Sequence, residues 1–273
     1  MSIPKNYELH LHYKGRFYLL KGRCTNAENE NVMMYYQAIY GEHQHFCRPI
    51  RSFYGFVDVE PRFELYMKLD TLLKKCLLMA SIAHTGQTRK GGDIPYINHP
   101  IRVARRISLL YPELRNAIAA AFLHDTIEDT NLTYEQIVNS VGVEIADIVL
   151  EVTDDQTISK RQQKENQIIN ASRKSFFAKL VKTSDKIDNC TDFVKENPDN
   201  LIPIMCFSKK VVDGMRCPEI ELLVAQFDRL YNNIVPSTMS NDEFEENVTK
   251  YLDSKSSVSE SSVSESSVSE SEQ

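Results

Sequence analysis

The chain has 273 residues, 42% of them hydrophobic, and a formal charge of −6. That is apolar material for one medium domain with additions, and no stretch approaches the roughly 20 apolar residues that a membrane span needs. The average charge hides a division: residues 237–273 hold nine acidic side chains against two basic ones, which leaves the preceding 236 residues at +1. Basic clusters on that near-neutral body, at 89–106 and 160–186, suit a phosphorylated small molecule. Nucleic-acid binding usually needs a more basic domain and ranks lower; solvated helix faces would give the same clusters. The six cysteines (24, 47, 76, 190, 206, 217) form no Cys-x-x-Cys pair, and Met1 to Lys5 has no apolar signal core. Free thiols in a reducing cytoplasm are expected.

In chain order, residues 1–62 read as a small antiparallel β module. Aromatic and β-branched runs at Tyr7 to Tyr13, Phe17 to Leu20 and Val32 to Tyr40 are broken by Lys14-Gly15 and by a polar stretch from Thr25 to Asn31, and Pro61 closes the module. Residues 63–235 read as helices. Tyr66, Leu69, Leu73, Cys76, Leu77 and Ala80 recur at helical spacing. Pro100 suits the first position of a helix running to about Leu110, with His99 near its N-cap. A helix from Ala117 to Asp129 follows, its stretch Ala117 to Leu123 apolar, and Thr133-x-x-Gln136 is a capping box for the next helix. Further helices are expected around 143–152, 160–170, 175–196, 201–214 and 219–234. Residues 236–273 are an appendage: Ser240-x-x-Glu243 caps a short amphipathic helix, and three Ser-Ser-Val-Ser-Glu repeats from Ser256 to Glu270 have the composition of a disordered tail.

The densest chemistry lies in His124-Asp125-Thr126-Ile127-Glu128-Asp129-Thr130, at the end of the apolar run. Ionisable groups at the edge of a core are costly unless a metal or a partner charge satisfies them. On one continuous helix His124, Asp125 and Glu128 would share a face. The run alone leaves two readings, a solvated acidic helix end and a ligand pocket. Three other stretches could join it: Ala83-His84-Thr85-Gly86-Gln87-Thr88-Arg89-Lys90, Pro95-Tyr96-Ile97-Asn98-His99-Pro100, and Lys179 to Asn189, in which Asp185 and Asn189 are four apart.

Together these four ordered motifs resemble the hydrolase domain of the RelA/SpoT homologues, HD-type metal-dependent hydrolases of the alarmones ppGpp and pppGpp, and in particular the Mesh-type small alarmone hydrolases. Val152-Thr153-Asp154-Asp155 also matches, and the resemblance spans about residues 64–235. It implies an HD-domain helical bundle. The metal ligands it implies are His99, His124, Asp125 and Asp185, a donor set that suits Mn²⁺ while admitting other divalent ions. Glu128 and Asp129 would activate or orient the attacking water and Asn189 would help position it. Arg89 would pack on the base, and Lys90, Lys160 and Arg161 are candidate phosphate contacts. The implied reaction converts ppGpp or pppGpp to GDP or GTP plus pyrophosphate.

Relatives of the family imply two enzymatic alternatives, NADPH 2′-phosphatase and ppApp hydrolase, and a non-catalytic alarmone- or partner-binding module is a third reading. Ser184 and Asp188 depart from the family pattern, and Asp188 is expected to face solvent. His84 is read as a packed histidine. His10 with His12, and His43 with His45 and Cys47, are read as strand residues rather than a zinc site. Residues 7–63 resemble a small, mainly bacterial domain of unknown function, through Tyr35-x-Gln37-Ala38-x-Tyr40-Gly41-Glu42-His43, Arg48-Pro49-Ile50-x-x-Phe53 and Pro61-Arg62-Phe63. The sequence leaves the oligomeric state open.

Overall fold

The computed structural model describes residues 7–89, 92–196 and 200–256, and it divides into two compact units, 1–153 and 154–273. The architecture is mainly helical, with a five-stranded antiparallel sheet and a two-stranded antiparallel ribbon. The expected disordered tail from residue 257 onward lies outside the described residues, as does Lys90.

The first unit opens with strands β1 (Tyr7–His12), β2 (Arg16–Thr25), β3 (Val32–Ala38) and β4 (His45–Pro49). A four-residue helix α1 (Ile50–Phe53) and a short ribbon of β5 (Phe56–Val57) and β6 (Glu60–Pro61) follow. The main sheet has five strands in the order β4-β3-β2-β1-β7. Its last member, β7 (Phe63–Leu69), corrects the reading of Tyr66 and Leu69 as helical: Leu9 pairs with Met67 and His12 with Phe63. Period-2 alternation separates two faces. One carries Met34, Tyr36 and Phe63, which with Phe53 of α1 form an aromatic cluster whose Phe53 and Phe63 rings stack at 4.3 Å. The other carries Leu9, Phe17, Leu19, Met67 and Leu69, all buried.

Asp70 then caps helix α2 (Thr71–Ala83), its carboxylate accepting from the Leu73 N–H at 3.0 Å. The same side chain pairs with Arg115 at 2.6 Å. Helix α3 (Asn98–Leu110) begins two residues before Pro100, so His99 sits inside its first turn rather than at the cap. The core of this unit is α4 (Arg115–Leu123), whose residues Ala117 to Leu123 are all buried. Its alanines let α2, α3 and α7 approach closely.

The expected single helix from 117 to 129 is broken. It stops at Leu123 and restarts as α5 (Thr126–Asp129), with Asp125 at φ −97°, ψ −5°. Side chains compete with the backbone ladder there: Thr126 donates to the Leu123 carbonyl at 2.7 Å and His124 Nδ1 to the Ala121 carbonyl at 2.9 Å. Helices α6 (Tyr134–Val141), which carries the expected capping box, and α7 (Val143–Val152) complete the unit.

The second unit contains α8 (Lys160–Asn170), α9 (Phe176–Glu196), α10 (Leu201–Met215), α11 (Glu221–Ile234) and α12 (Asn241–Asp253). Helix α9 packs against both α10 and α11. Helix α12 has the Ser240–Glu243 capping box and buries Val248 and Leu252; its Tyr251 ring stacks on Phe207 of α10 at 4.4 Å. Among the described residues no helix is long and apolar enough to cross a membrane.

Candidate metal centre

In the first unit, three elements deliver the site. The first turn of α3 supplies His99, and the break between α4 and α5 supplies His124 and Asp125. Both imidazoles are buried, at 1% and 2% exposure. Because His124 Nδ1 faces a carbonyl, Nδ1 carries the proton and the Nε2 lone pair points inward. His124 Nε2 lies 3.1 Å from Asp125 Oδ1, and His99 Nε2 lies 3.5 Å from Asp125 Oδ2. Ligand atoms of the two histidines are within 4.8 Å of one another. Two imidazoles converging on a carboxylate is a donor arrangement for a borderline divalent cation.

A layer of residues to which sequence reasoning gave no part in the site holds this arrangement. The Tyr96 hydroxyl donates to Asp125 Oδ2 at 2.7 Å and to Asp129 Oδ2 at 2.9 Å. Burial, then the charges of Asp125 and Asp129, push its pKa far above the ordinary phenol value, so it stays a donor. Its ring stacks on His84 at 4.6 Å. His84 Nδ1 bonds Gln87 Oε1 at 2.7 Å, and Gln87 Nε2 donates to the Asp129 carbonyl at 2.7 Å. His84 is therefore packed and hydrogen-bonded, as its motif reading held, and burial lowers its pKa. The signal was visible: Tyr96, His84 and Gln87 all lie inside the motifs, but nothing in a linear pattern says which carboxylate a tyrosine will meet.

Glu128 is half-buried and Asp129 exposed, both on α5. The Arg89 guanidinium stands 5.5 Å over the Tyr96 ring, next to the Thr88–Pro95 bridge.

In the second unit, α9 presents a run of buried polar side chains. Asp185 is 6% exposed, and its Oδ1 accepts from Asn189 Nδ2 at 2.6 Å, one turn on. Asp188 is 1% exposed, which overturns its expected solvent-facing position: α9 is covered by α10 and α11, so its polar residues are not a surface face. Nearby Asp154 accepts from Lys164 at 2.8 Å and from Gln167 at 2.6 Å, with Lys182 at 3.9 Å. Burial alone would raise the Asp154 pKa, but Lys182 and Lys164 outweigh it and hold the carboxyl below its usual value. Burial and the Lys164 charge lower Lys186 to about 8, and its ammonium donates to Gln167 at 2.8 Å.

Of the basic residues singled out on α8, Lys160 donates to Gln156 at 3.1 Å, and Arg161 is engaged by both Glu165 and Asp253.

Away from this region, His10 is packed at 5.2 Å against Phe53 and bonded to Glu8. His43 lies in a turn outside β4, bonded to Ser81 at 2.7 Å. All six cysteines are free.

A family model described as "HD domain" matches residues 76–201, and one described as "Protein of unknown function (DUF1653)" matches residues 8–65. The chain is 36% identical over 151 residues to the guanosine-3′,5′-bis(diphosphate) 3′-pyrophosphohydrolase MESH1 of Drosophila melanogaster, covering 52% of this chain and 83% of that protein. The Xenopus tropicalis MESH1 is 42% identical over 152 residues, covering 53% and 85%. The Homo sapiens protein is 40% identical over 125 residues, covering 44% and 68%. A solved structure of a metazoan ortholog of SpoT that hydrolyzes ppGpp superposes with a TM-score of 0.57 at 32% identity, covering 60% of this chain and 96% of that one. With the His99–His124–Asp125 arrangement inside the matched HD segment, the chain belongs to the HD-domain family of the MESH1 proteins.

Proposed function

We propose that this chain hydrolyses the 3′-pyrophosphate of guanosine alarmones, converting ppGpp to GDP and pppGpp to GTP with release of pyrophosphate. The observation that carries the reading is the convergence of His99 Nε2 and His124 Nε2 on Asp125, in a chain that matches MESH1 proteins over more than four-fifths of the length of two of them. His99, His124 and Asp125, together with Asp185, are assigned to one divalent cation, which we take to be Mn²⁺. Nitrogen and oxygen donors without a thiolate fit that class of ion.

When bound, the cation supplies Lewis-acid polarisation of phosphoryl oxygens and lowers the pKa of a water. The remaining work belongs to the chain. Tyr96 orients Asp125 and Asp129, and Asn189 orients Asp185. Glu128, with Asp129, accepts the proton of the attacking water. The water oxygen bonds to the phosphorus attached to the ribose 3′ oxygen, the 3′ O–P bond breaks, and the 3′ oxygen leaves as a hydroxyl after gaining a proton. Arg89 offers a flat cation for the base. Lys90, Lys160 and Arg161 are assigned to phosphates, Arg161 only after release from Glu165 and Asp253. Residues 63–235, which open with strand β7 and are otherwise helical, are taken as the catalytic part, with 1–62 and 236–273 as additions to it, and six free thiols support a reducing, cytoplasmic setting.

The test is a product assay. The full chain with Mn²⁺ converts ppGpp to equimolar GDP and pyrophosphate, resolved by anion exchange, and EDTA stops it. NADPH and ppApp run in parallel; intact ppGpp across a panel of divalent ions would remove the assignment.

A further inference from the structure

The β module carries a cavity of about 340 Å³ lined by Arg16, Ala38, Tyr40, Gly41, Glu42, Gln44 and Phe46. It lies outside the segment matched to the HD family. Its floor continues the aromatic face of the sheet: Phe46 stacks near Tyr36 at 5.7 Å and meets Tyr18 edge-on at 6.1 Å, yet remains 37% exposed. The Arg16 guanidinium stands 5.3 Å over the Tyr40 ring, and the Tyr40 and Tyr18 hydroxyls share a short hydrogen bond. Basic groups gather around His12, the cross-strand neighbour of Arg16. His12, paired with Arg16 across β1 and β2, is lowered to about 4 by burial and then by Arg62, Arg48 and Lys14.

The cavity wall is held in place. His43, in the turn that bounds it, has φ 51°, a conformation costly for a non-glycine residue. It is fixed there by Ser81 of α2 at 2.7 Å and by Gln37, which donates to its carbonyl at 3.2 Å. Ser81 donates in turn to the Ile39 carbonyl at 2.5 Å. The Asn98 amide donates to the Gly15 carbonyl at 2.8 Å, one residue from Arg16. A strained turn held by partners on a second element is a pre-organised wall.

The chemistry of the lining selects a ligand. The rings of half-buried Tyr40 and exposed Phe46 suit a flat base, and stacked bases gain about 1–3 kcal/mol from such rings. Arg16 suits a phosphate. Glu42 adds an acceptor-only carboxylate, which matches the adjacent N–H donors on the pairing edge of guanine and faces no such pair on adenine. The volume is at the small end of ligand pockets, which span about 300–1,000 Å³, and suits one nucleotide. We propose that the β module binds a guanine mononucleotide in this cavity, with Arg16 on the phosphate, Tyr40 and Phe46 on the base and Glu42 on its donor edge.

The chain contains no tryptophan, so Gln44→Trp places a single indole at the cavity. Titrating that variant of the full chain with GMP, in EDTA, is expected to give a saturable fluorescence change, with AMP at least tenfold weaker. Adding Arg16→Ala or Glu42→Gln is expected to weaken GMP at least tenfold, whereas adding Arg89→Ala leaves it unchanged, which separates this site from the metal centre. Isothermal titration of the unsubstituted chain guards against occlusion by the indole, and circular dichroism verifies that each variant is folded. Absence of both heat and fluorescence change, equal affinity for AMP, or GMP binding indifferent to Arg16 and Glu42 overturns the proposal, whatever the outcome of the alarmone assay.

Discussion

Replacing Tyr96 with Phe removes one hydroxyl and leaves the ring that stacks on His84. That hydroxyl donates to Asp125 at 2.7 Å and to Asp129 at 2.9 Å. Asp129 is exposed and water replaces its lost partner, so the cost concentrates on Asp125, whose side chain is 18% exposed. One hydrogen bond to a charged acceptor is worth about 1.5–3 kcal/mol, which is roughly one to two powers of ten in an equilibrium constant. The same range, about 10–100-fold, is typical when a partner of a metal ligand is removed. Tyr96→Phe is therefore expected to weaken Mn²⁺ binding by about 10–100-fold, measured by calorimetric titration of the metal-free full chain. Saturating Mn²⁺ should restore most of the turnover, because the ligands themselves remain. An unchanged Mn²⁺ affinity would refute the view that Tyr96 orients Asp125, and a large loss of kcat that excess metal does not rescue would place Tyr96 in the chemical step instead.

Three further outcomes are expected. His124→Ala and Asp125→Ala each abolish alarmone hydrolysis in a folded protein, and a variant that turned over normally would remove its residue from the metal site. Glu128→Ala keeps Mn²⁺ bound but lowers kcat by about 10²–10⁴-fold, the contribution usual for a positioned base; loss of the metal in that variant would move Glu128 into the ligand set. Asp154→Ala leaves Lys164 and Lys182 without their shared anion and destabilises the fold by about 3–5 kcal/mol near pH 7, as breaking a buried pair does. Because the folded-state pKa of Asp154 lies below its ordinary 3.8, the native protein holds this stability above that pH and loses it as pH falls through the lowered value. Denaturant midpoints of wild type and variant should thus converge in strong acid, and a constant gap down to pH 2 would contradict the assignment.

Part of the candidate site was legible because its residues sit in short motifs: residue type and spacing singled out His124 and Asp125, and the resemblance to the RelA/SpoT homologues brought in His99 and Asn189. What escaped was non-local. β7 looked helical because Tyr66, Leu69 and Leu73 are spaced for a helix, while the partner that makes it a strand, β1, lies more than 50 residues upstream. Asp188 looked like a surface residue because the α9 sequence is polar, and only the packing of α10 and α11 around it shows that a polar helix can be a core helix. The break after Leu123 has no glycine or proline to announce it; it arises from Thr126 and His124 capturing carbonyls of the preceding turn.

Asp70 joins three elements at one carboxylate: it follows the last strand of the sheet directly, caps α2, and pairs with Arg115 at the start of α4. The β module is thus grafted onto the helical core without a flexible tether. Deleting it would strip the cover from Leu69 and remove the acceptor that Asn98, neighbour of His99, uses on Gly15. An attempt to shorten this enzyme to its HD segment would be surgery on a shared wall, and a fusion of the β module to another protein should carry α2 with it.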